Sequence, residues 1–326
     1  MLGLITGYWI TQLIYVAAKL GLADRLAGGP KTSDDLAADC GVQPRELHRL
    51  LRALASEGVF QEAGPRTFAN TPLSDWLRQE RTGSLHARAI VSAEKDWPAW
   101  GQLLHSIRTG QCAFDAVFGA DHFAWLSEHP DVAGAFNQTM TQAAAHFYRA
   151  VVEAYDFSPF RCVVDIGGGH GQLLALILAR HATARGILFD APRVIETAGE
   201  LLRAAGVAER CELRAGDFFE AIPAHGDAYL MSHLLHDWDD EHAKKLLTRT
   251  RRVTKPGTRL LIIEKLIPPG NEPSLAKLMD IHMLVLSGGL ERTEEEYRRL
   301  LADTGFRLER IVPTASIMSV LEAVPL

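Results

Sequence analysis

The segment Val163-Val164-Asp165-Ile166-Gly167-Gly168-Gly169-His170-Gly171-Gln172 constrains the fold of this chain more than any other. An apolar run closes on an acid, small residues follow, and Leu173 to Leu178 then offers the apolar stretch of a starting helix. Strand, tight turn and helix form the opening unit of a doubly wound α/β sheet, whose ligands lie beyond the carboxyl ends of the strands. Glycine suits the turn because it allows positive φ and lets a ligand come close to the backbone. The glycine spacing argues against a dinucleotide. A pyrophosphate-binding turn reads G-x-G-x-x-G at a helix N-terminus. Here Gly167, Gly169 and Gly171 give G-x-G-x-G, and Gln172 stands where the third glycine is needed.

Two further acids sharpen the ligand. Ile187-Leu188-Phe189-Asp190 reads as a second strand ending in a carboxylate, and Glu212 to Ala215 as a third, with Asp217 just past its end. Three carboxylates at three strand ends suit ribose hydroxyls, an exocyclic amine and a positively charged sulfonium. They do not suit a pyrophosphate. The same region continues into Phe189-Asp190-Ala191-Pro192-Arg193-Val194 and Gly216-Asp217-Phe218-Phe219. Two later motifs are Leu235-His236-Asp237-Trp238-Asp239-Asp240 and Gly288-Gly289-Leu290-Glu291-Arg292-Thr293. With these motifs in this order, the chain resembles the S-adenosylmethionine-dependent methyltransferases. It is most similar to the plant-type O-methyltransferase family, the caffeate- and hydroxyindole-like enzymes, in its bacterial natural-product branch. The resemblance covers nearly the whole chain.

A chain of 326 residues is too long for one ordinary core, so two domains are expected. Hydrophobic content of 47% with 23% charged residues is that of a water-soluble globular protein, and a net charge of -6 argues against non-specific nucleic-acid binding. Cys40, Cys112, Cys162 and Cys211 are widely spaced, which points to neither a zinc knuckle nor a disulfide framework and fits a reducing cytoplasm. Residues 1–18 carry no charge. A membrane span needs about 20 apolar residues, and this stretch is broken by Thr6, Gly7, Thr11 and Gln12. An amphipathic or buried helix is expected, not a targeting segment. The resemblance implies that members usually carry more chain ahead of this helix.

Residues 1–90 read as a winged-helix-like domain. Thr32-Ser33 caps a helix, Pro44 opens another with Leu47, Leu50, Leu51 and Leu54 at helical spacing, and a Gly64-Pro65 turn joins two short strands. Such layouts often bind DNA, but residues 1–85 hold nine Lys or Arg against nine Asp or Glu. A phosphate-binding surface needs clustered cations. The resemblance implies dimerisation instead. Residues 91–158 read as a helical linker and acceptor-pocket region, rich in aromatics including Trp97, Trp100, Phe114, Phe118, Phe123, Trp125, Phe136 and Phe147, most of them expected in a core. Residues 159–326 alternate strands and helices as the methyltransferase domain. Strands are expected near 162–167, 186–190, 211–215, 227–232 and 258–264, with an antiparallel closing hairpin from Phe306–Val312 and Ser316–Ala323.

His236 follows the fourth of these strands, at the ligand-bearing edge. Histidine is the usual general base near pH 7; a loop or capping role is the bland alternative, and His233 is its rival. The resemblance selects His236 as the base and Glu264 and Glu291 as the acids that flank it. Glu291 could instead pair with Arg292 or serve a helix cap at Thr293, and Asp237 could cap a helix or assist the site. For the cofactor, the resemblance implies Asp165, Gly167, Gly169, Asp190 on the ribose, Asp217 and Phe218 on the adenine, and Ser232, where many plant members carry lysine. Acceptor contacts are expected from Trp97, Phe136, Met140, His282 and Met283, with Ala143 where the plant site carries histidine. The expected cofactor is S-adenosylmethionine, leaving as S-adenosylhomocysteine, and no ligand spacing points to a metal. The sequence thus reads as an O-methyltransferase acting on an aromatic hydroxyl of a small natural product, as a homodimer, with neither nucleic acid nor membrane as partner. Alternatives are N-methylation or non-methylating chemistry on the same fold, and a winged-helix regulator that senses a small molecule.

Overall fold

The computed structural model describes residues 1–326, apart from the side chains of Phe123, Asn137, Gln138, Thr141, Gln142, Ala143, Ala145 and His146. Two positions named above, Phe123 and Ala143, therefore lie outside the described residues. The chain forms two units, one of residues 1–102 and 114–143, the other of residues 103–113 and 144–326. The segment 91–158 is divided between them.

In the first unit, strands β1 (Lys31–Thr32), β2 (Phe60–Gly64) and β3 (Thr67–Asn70) form an antiparallel sheet in the order β1-β3-β2. The Thr32 side chain caps the helix Ser33–Cys40 by accepting from Asp35 N, and Pro44 opens the helix Pro44–Ser56. That helix buries Leu47, Leu51 and Leu54 with Leu22, Leu36, Phe60 and Phe68. The first helix, Leu2–Lys19, forms as expected but is not a buried one. It buries only Ala17 and Ala18, and leaves Leu2, Leu4, Ile5, Tyr8 and Trp9 exposed, Leu4 at 83%. Among the described residues, Trp97 meets Tyr8, while Leu2, Leu4, Ile5 and Trp9 stay more than half exposed. No helix among the described residues is long and apolar enough to cross a membrane.

The second unit is built on seven strands: β4 (Cys162–Ile166), β5 (Arg185–Asp190), β6 (Cys211–Ala215), β7 (Ala228–Ser232), β8 (Arg259–Glu264), β9 (Phe306–Pro313) and β10 (Ser319–Pro325). Their order is β6-β5-β4-β7-β8-β10-β9. The first five are parallel, and β10 lies antiparallel between β8 and β9. The hairpin opens at Phe306 as expected, but its second strand, β10, starts at Ser319 and not Ser316 because Thr314 and Ser316 are tied into the turn, with Thr314 Oγ1 donating to Met318 O at 2.7 Å. Both sheet faces are covered. Val163, Leu188, Leu230, Leu261 and Ile263 point into one core, and Val164, Ile166, Phe189, Met231 and Ile262 into the other. This is why the strands read as continuous apolar runs rather than alternating ones. The strand order reverses between β4 and β7, the point where a crevice opens at the carboxyl edge.

Candidate active site

The glycine turn follows β4 directly. Gly167, Gly169 and Gly171 all have positive φ (65°, 60° and 80°), which an L side chain rarely adopts. Gly167 N donates to Phe189 O at 2.8 Å, which ties the turn to β5. Asp190 ends β5 and grips the same turn: its Oδ2 accepts from Gly169 N at 2.8 Å and its Oδ1 from Ala191 N at 2.7 Å. Asp217 is exposed past the end of β6, with Phe218 half-buried beside it and within ring contact of Phe219 and Trp238. Asp165 sits differently from a ligand at the open edge. One residue before the strand ends, it pairs in register with Leu188 and Leu230 and lies 1% exposed beneath Gly168. Burial and the neighbouring Asp190 carboxylate push its pKa up to about 7. Ser232, at the end of β7, is buried and shares a hydrogen bond with the Tyr148 hydroxyl, which burial pushes up to about 12. A glycine cradle flanked by acids at neighbouring strand ends fits S-adenosylmethionine and would repel a pyrophosphate.

The second half of the edge is made by β7, β8 and the loop 288–292. After Ser232 the chain turns through His233, held at a φ of 50°, into a short 3₁₀ turn, Leu235–Asp237. That turn carries His236 back over the sheet edge. Glu264 ends β8 fully buried, and its Oε1 accepts from Leu234 N at 3.0 Å and Leu235 N at 3.1 Å. A carboxylate so placed secures the turn through two charge-assisted hydrogen bonds. Its Oε2 is 3.5 Å from His236 Nδ1. Glu291 Oε1 is nearer, 3.1 Å from the same nitrogen. Asp237 Oδ1 lies 3.6 Å from His236 Nε2.

Glu291 reaches the ring because Gly289 permits it. A Cβ on Gly289 would overlap the His236 carbonyl oxygen and come within 2.8 Å of the Asp237 carbonyl carbon. Without one, Leu290 N donates to His236 O at 2.9 Å. Neither bland role for Glu291 is taken up. Thr293 caps its helix with Glu296, and Arg292 pairs with Asp240. Asp237 is not a helix cap either, since Asp239 accepts from His242 N in that position.

Burial opposes charge on His236, but Glu264, Asp237 and Glu291 outweigh it and raise the imidazole pKa to about 9. His233, 5.6 Å away between ring centroids, is driven the opposite way, by burial and by the positive charges of Lys265 and His236. Of the two, only His236 has the proton affinity to match a phenol, whose pKa is about 10. Burial alone would raise Glu291; its hydrogen bond to His236 and the ammonium of Lys265 bring it below the usual range, so it is ionised. Glu264 is raised by burial, with His236 pulling against the shift.

Three residues were not foreseen. Lys265 is buried beside Glu264, its Nζ 2.9 Å from Glu291 Oε1 and 3.5 Å from His236 Nδ1. Arg292 is buried and donates to Leu235 O (2.9 Å), Trp238 O (3.0 Å) and Asp240 Oδ1 (2.8 Å), which staples the turn that carries His236. Asp280 Oδ1 accepts from Glu291 N at 3.1 Å. Lys265 and Arg292 each adjoin a residue already singled out, the one signal that could have found them. Donor atoms of His236, Glu264 and Glu291 lie within 4.8 Å of one another, close enough to hold a metal ion and invisible in the sequence spacing. The fold supplies a cation there itself, the Lys265 ammonium. The acceptor candidates divide between the units. Trp97, Phe136 and Met140 belong to the first, where Trp97 meets Tyr8 and Phe136 meets His122. His282 and Met283 lie on the helix Leu275–Leu286 of the second, with Met283 buried.

A seven-stranded sheet of this order, with acids along its carboxyl edge, is the fold of a class I methyltransferase. Residues 100–307 match the model of the O-methyltransferase domain, and residues 2–80 that of the O-methyltransferase dimerisation domain. The chain belongs to this O-methyltransferase family, whose cofactor is S-adenosylmethionine. It is 47% identical to a phenazine O-methyltransferase of Lysobacter antibioticus, over 100% of this chain and 96% of the relative. It is 37% identical to an 8-amino-8-demethylriboflavin N,N-dimethyltransferase of Streptomyces davaonensis, over 96% of this chain and 91% of the relative. Among solved structures it is similar to an O-methyltransferase of neocarzinostatin biosynthesis in complex with S-adenosylmethionine and 2-hydroxy-5-methyl naphthoic acid. That likeness has a TM-score of 0.86 and 29% identity, over 97% of this chain and 96% of the other.

Proposed function

We propose that this enzyme methylates a phenolic hydroxyl of a small aromatic natural product, with His236 as general base. The buried 3.1 Å contact of His236 Nδ1 with Glu291 carries the reading. A carboxylate on Nδ1 holds the proton there and leaves Nε2 as the basic nitrogen. When bound, S-adenosylmethionine supplies a methyl group on a positively charged sulfur, open to displacement by an oxygen nucleophile. A phenol is mostly neutral at pH 7, so removing its proton as it reacts is worth about 10²–10⁴-fold. Nε2 of His236 takes that proton. Glu291, Glu264 and Asp237 then stabilise the imidazolium, as the acid of a catalytic triad does. On this reading Asp190, Asp217, Phe218 and Ser232 bind the cofactor with Gly167 and Gly169, over a turn that Asp165 supports from below. Trp97, Phe136, Met140, His282 and Met283 would contact the acceptor. Residues 1–90 would serve dimerisation, 91–158 the acceptor pocket, and 159–326 the cofactor, in a homodimer acting in the cytoplasm.

The test is methyl transfer to a panel of phenols, phenazines, quinones and aromatic amines, read by mass, for wild type and His236→Ala. A methylated phenol made by wild type and reduced at least about 100-fold in the variant supports the base. Undiminished phenol methylation would remove it. The kinship with an N,N-dimethyltransferase supports a second reading, an amine acceptor. A free amine already carries its lone pair, so its methylation would survive the loss of His236.

A further inference from the structure

We propose that Lys265 is a positioning residue for this reaction: its ammonium stands beside both Glu291 and the His236 ring, fixes Glu291 as the ring's partner, and opposes a second positive charge there. The proposal rests on the reading of His236 as the base. Lys265 lies one residue past the end of β8, where strand alternation no longer sends its side chain away from that of Glu264. The main chain then pairs with the glutamate loop. Leu266 bridges to Arg292, and Ile267 N donates to Arg292 O at 3.1 Å. Lys265 and Glu291 are thereby held in register, and one carboxylate oxygen, Glu291 Oε1, faces both the ammonium at 2.9 Å and the ring nitrogen at 3.1 Å.

The charged groups around the ring come from four segments. His236 and Asp237 lie on the 3₁₀ turn, His233 precedes it, Glu264 ends β8 with Lys265 just after it, and Glu291 comes from the loop. Three carboxylates favour the imidazolium. Among the described residues acting on the ring, Lys265 is the positive charge that works against it, alongside burial. An imidazolium cannot accept a proton, so without this ammonium the ring would stay charged, and inert as a base, over a wider range of pH. Lys265 thus sets the pH at which the base becomes available, while keeping the buried Glu291 paired in both protonation states of the ring.

Histidine NMR titration of the cofactor-free protein reads this directly, with His236 assigned by its loss in His236→Gln. Lys265→Gln keeps a donor for Glu291 but removes the charge, and should raise the His236 midpoint by about one pH unit. Lys265→Arg, which restores the charge, should bring the midpoint back toward wild type. The ascending limb of kcat/KM should follow the same order, with Lys265→Gln about tenfold down at pH 7 and recovering at higher pH. A folded Lys265→Gln protein with an unmoved or lowered midpoint would overturn the proposal. So would an activity loss equal at every pH. Should Lys265→Gln not fold, Glu291→Gln is compared with Lys265→Met/Glu291→Gln, in which no buried carboxylate is orphaned. The double variant should have the higher midpoint, and equality would again overturn the inference. The midpoint is read without catalysis, so failure of His236 as base, seen as undiminished phenol methylation by His236→Ala, is distinguishable from failure of Lys265 to act on the ring.

Discussion

His236 and Asp165 are both buried, and both hold a proton more tightly than usual, so each costs the fold stability as pH rises, but for different reasons and over different pH ranges. For His236 the carboxylates around it overcome burial and raise its pKa from 6.5 to about 9. Its imidazolium therefore stabilises the fold in full below pH 6.5, and that contribution fades as pH rises through about 9. In kinetics the same group should appear as a limb of kcat/KM that rises with pH toward about 9, since this profile reports the free enzyme. A flat profile from about pH 6 to 9 would be incompatible with His236 as base. For Asp165 the cause is burial, then repulsion from Asp190, which together raise its carboxyl from 3.8 to about 7. Ionising it strains the folded state, so the cofactor-free protein should lose stability as pH rises from about 4 through 7, by at most about 1.4 kcal/mol per pH unit from this group. Asp165→Asn removes the titration. Its Tm advantage over wild type should widen from about pH 5 to pH 8, by thermal unfolding, and an advantage that narrows would contradict the assignment.

The active edge depends on short elements that are held in place by one another. The turn Leu235–Asp237 has few hydrogen bonds of its own and is secured by Glu264 from β8 and Arg292 from the loop. That loop approaches closely only because Gly289 has no side chain. Gly289→Ala should force the backbone apart and move Glu291 from the ring. A displacement of about 1 Å in such a site can cost 10²-fold in rate. The expected outcome is kcat down by at least about tenfold, with the affinity for S-adenosylmethionine little changed in calorimetry, because the cofactor turn belongs to β4 and β5. Equal losses in both would mean that the substitution disturbs the whole sheet edge.

The exposed apolar face of the helix Leu2–Lys19 falls within residues 2–80, the part that matches a dimerisation domain. A surface with Leu2, Leu4, Ile5 and Trp9 all more than half exposed is unusual unless it is covered. With a second copy as its cover, wild type should sediment as a dimer, and Leu4→Asp with Trp9→Asp should yield a folded monomer. Monomeric wild type would leave this face to another partner.

What the sequence alone determined is the part governed by local rules. Apolar runs ending at Asp190 and Glu264 marked parallel strands buried on both faces, and Gly167 to Gly171 marked the turn, because strand burial and positive φ leave direct traces in residue type. The motifs around His236 and Glu291 could be read as chemistry. Their meeting was implied by the resemblance alone and by no local pattern, since the two lie 55 residues apart. Only the tertiary structure decided that Glu264 holds the turn, that Arg292 staples it, that Asp165 lies under the glycine turn, and that Lys265 joins the histidine. The same held for the first helix, whose composition read as an amphipathic or buried helix and whose leading apolar residues stay exposed. Burial and charge pairing are relations between distant segments, and a cluster of acids acquires its cation only when the strand order has brought its members to one edge.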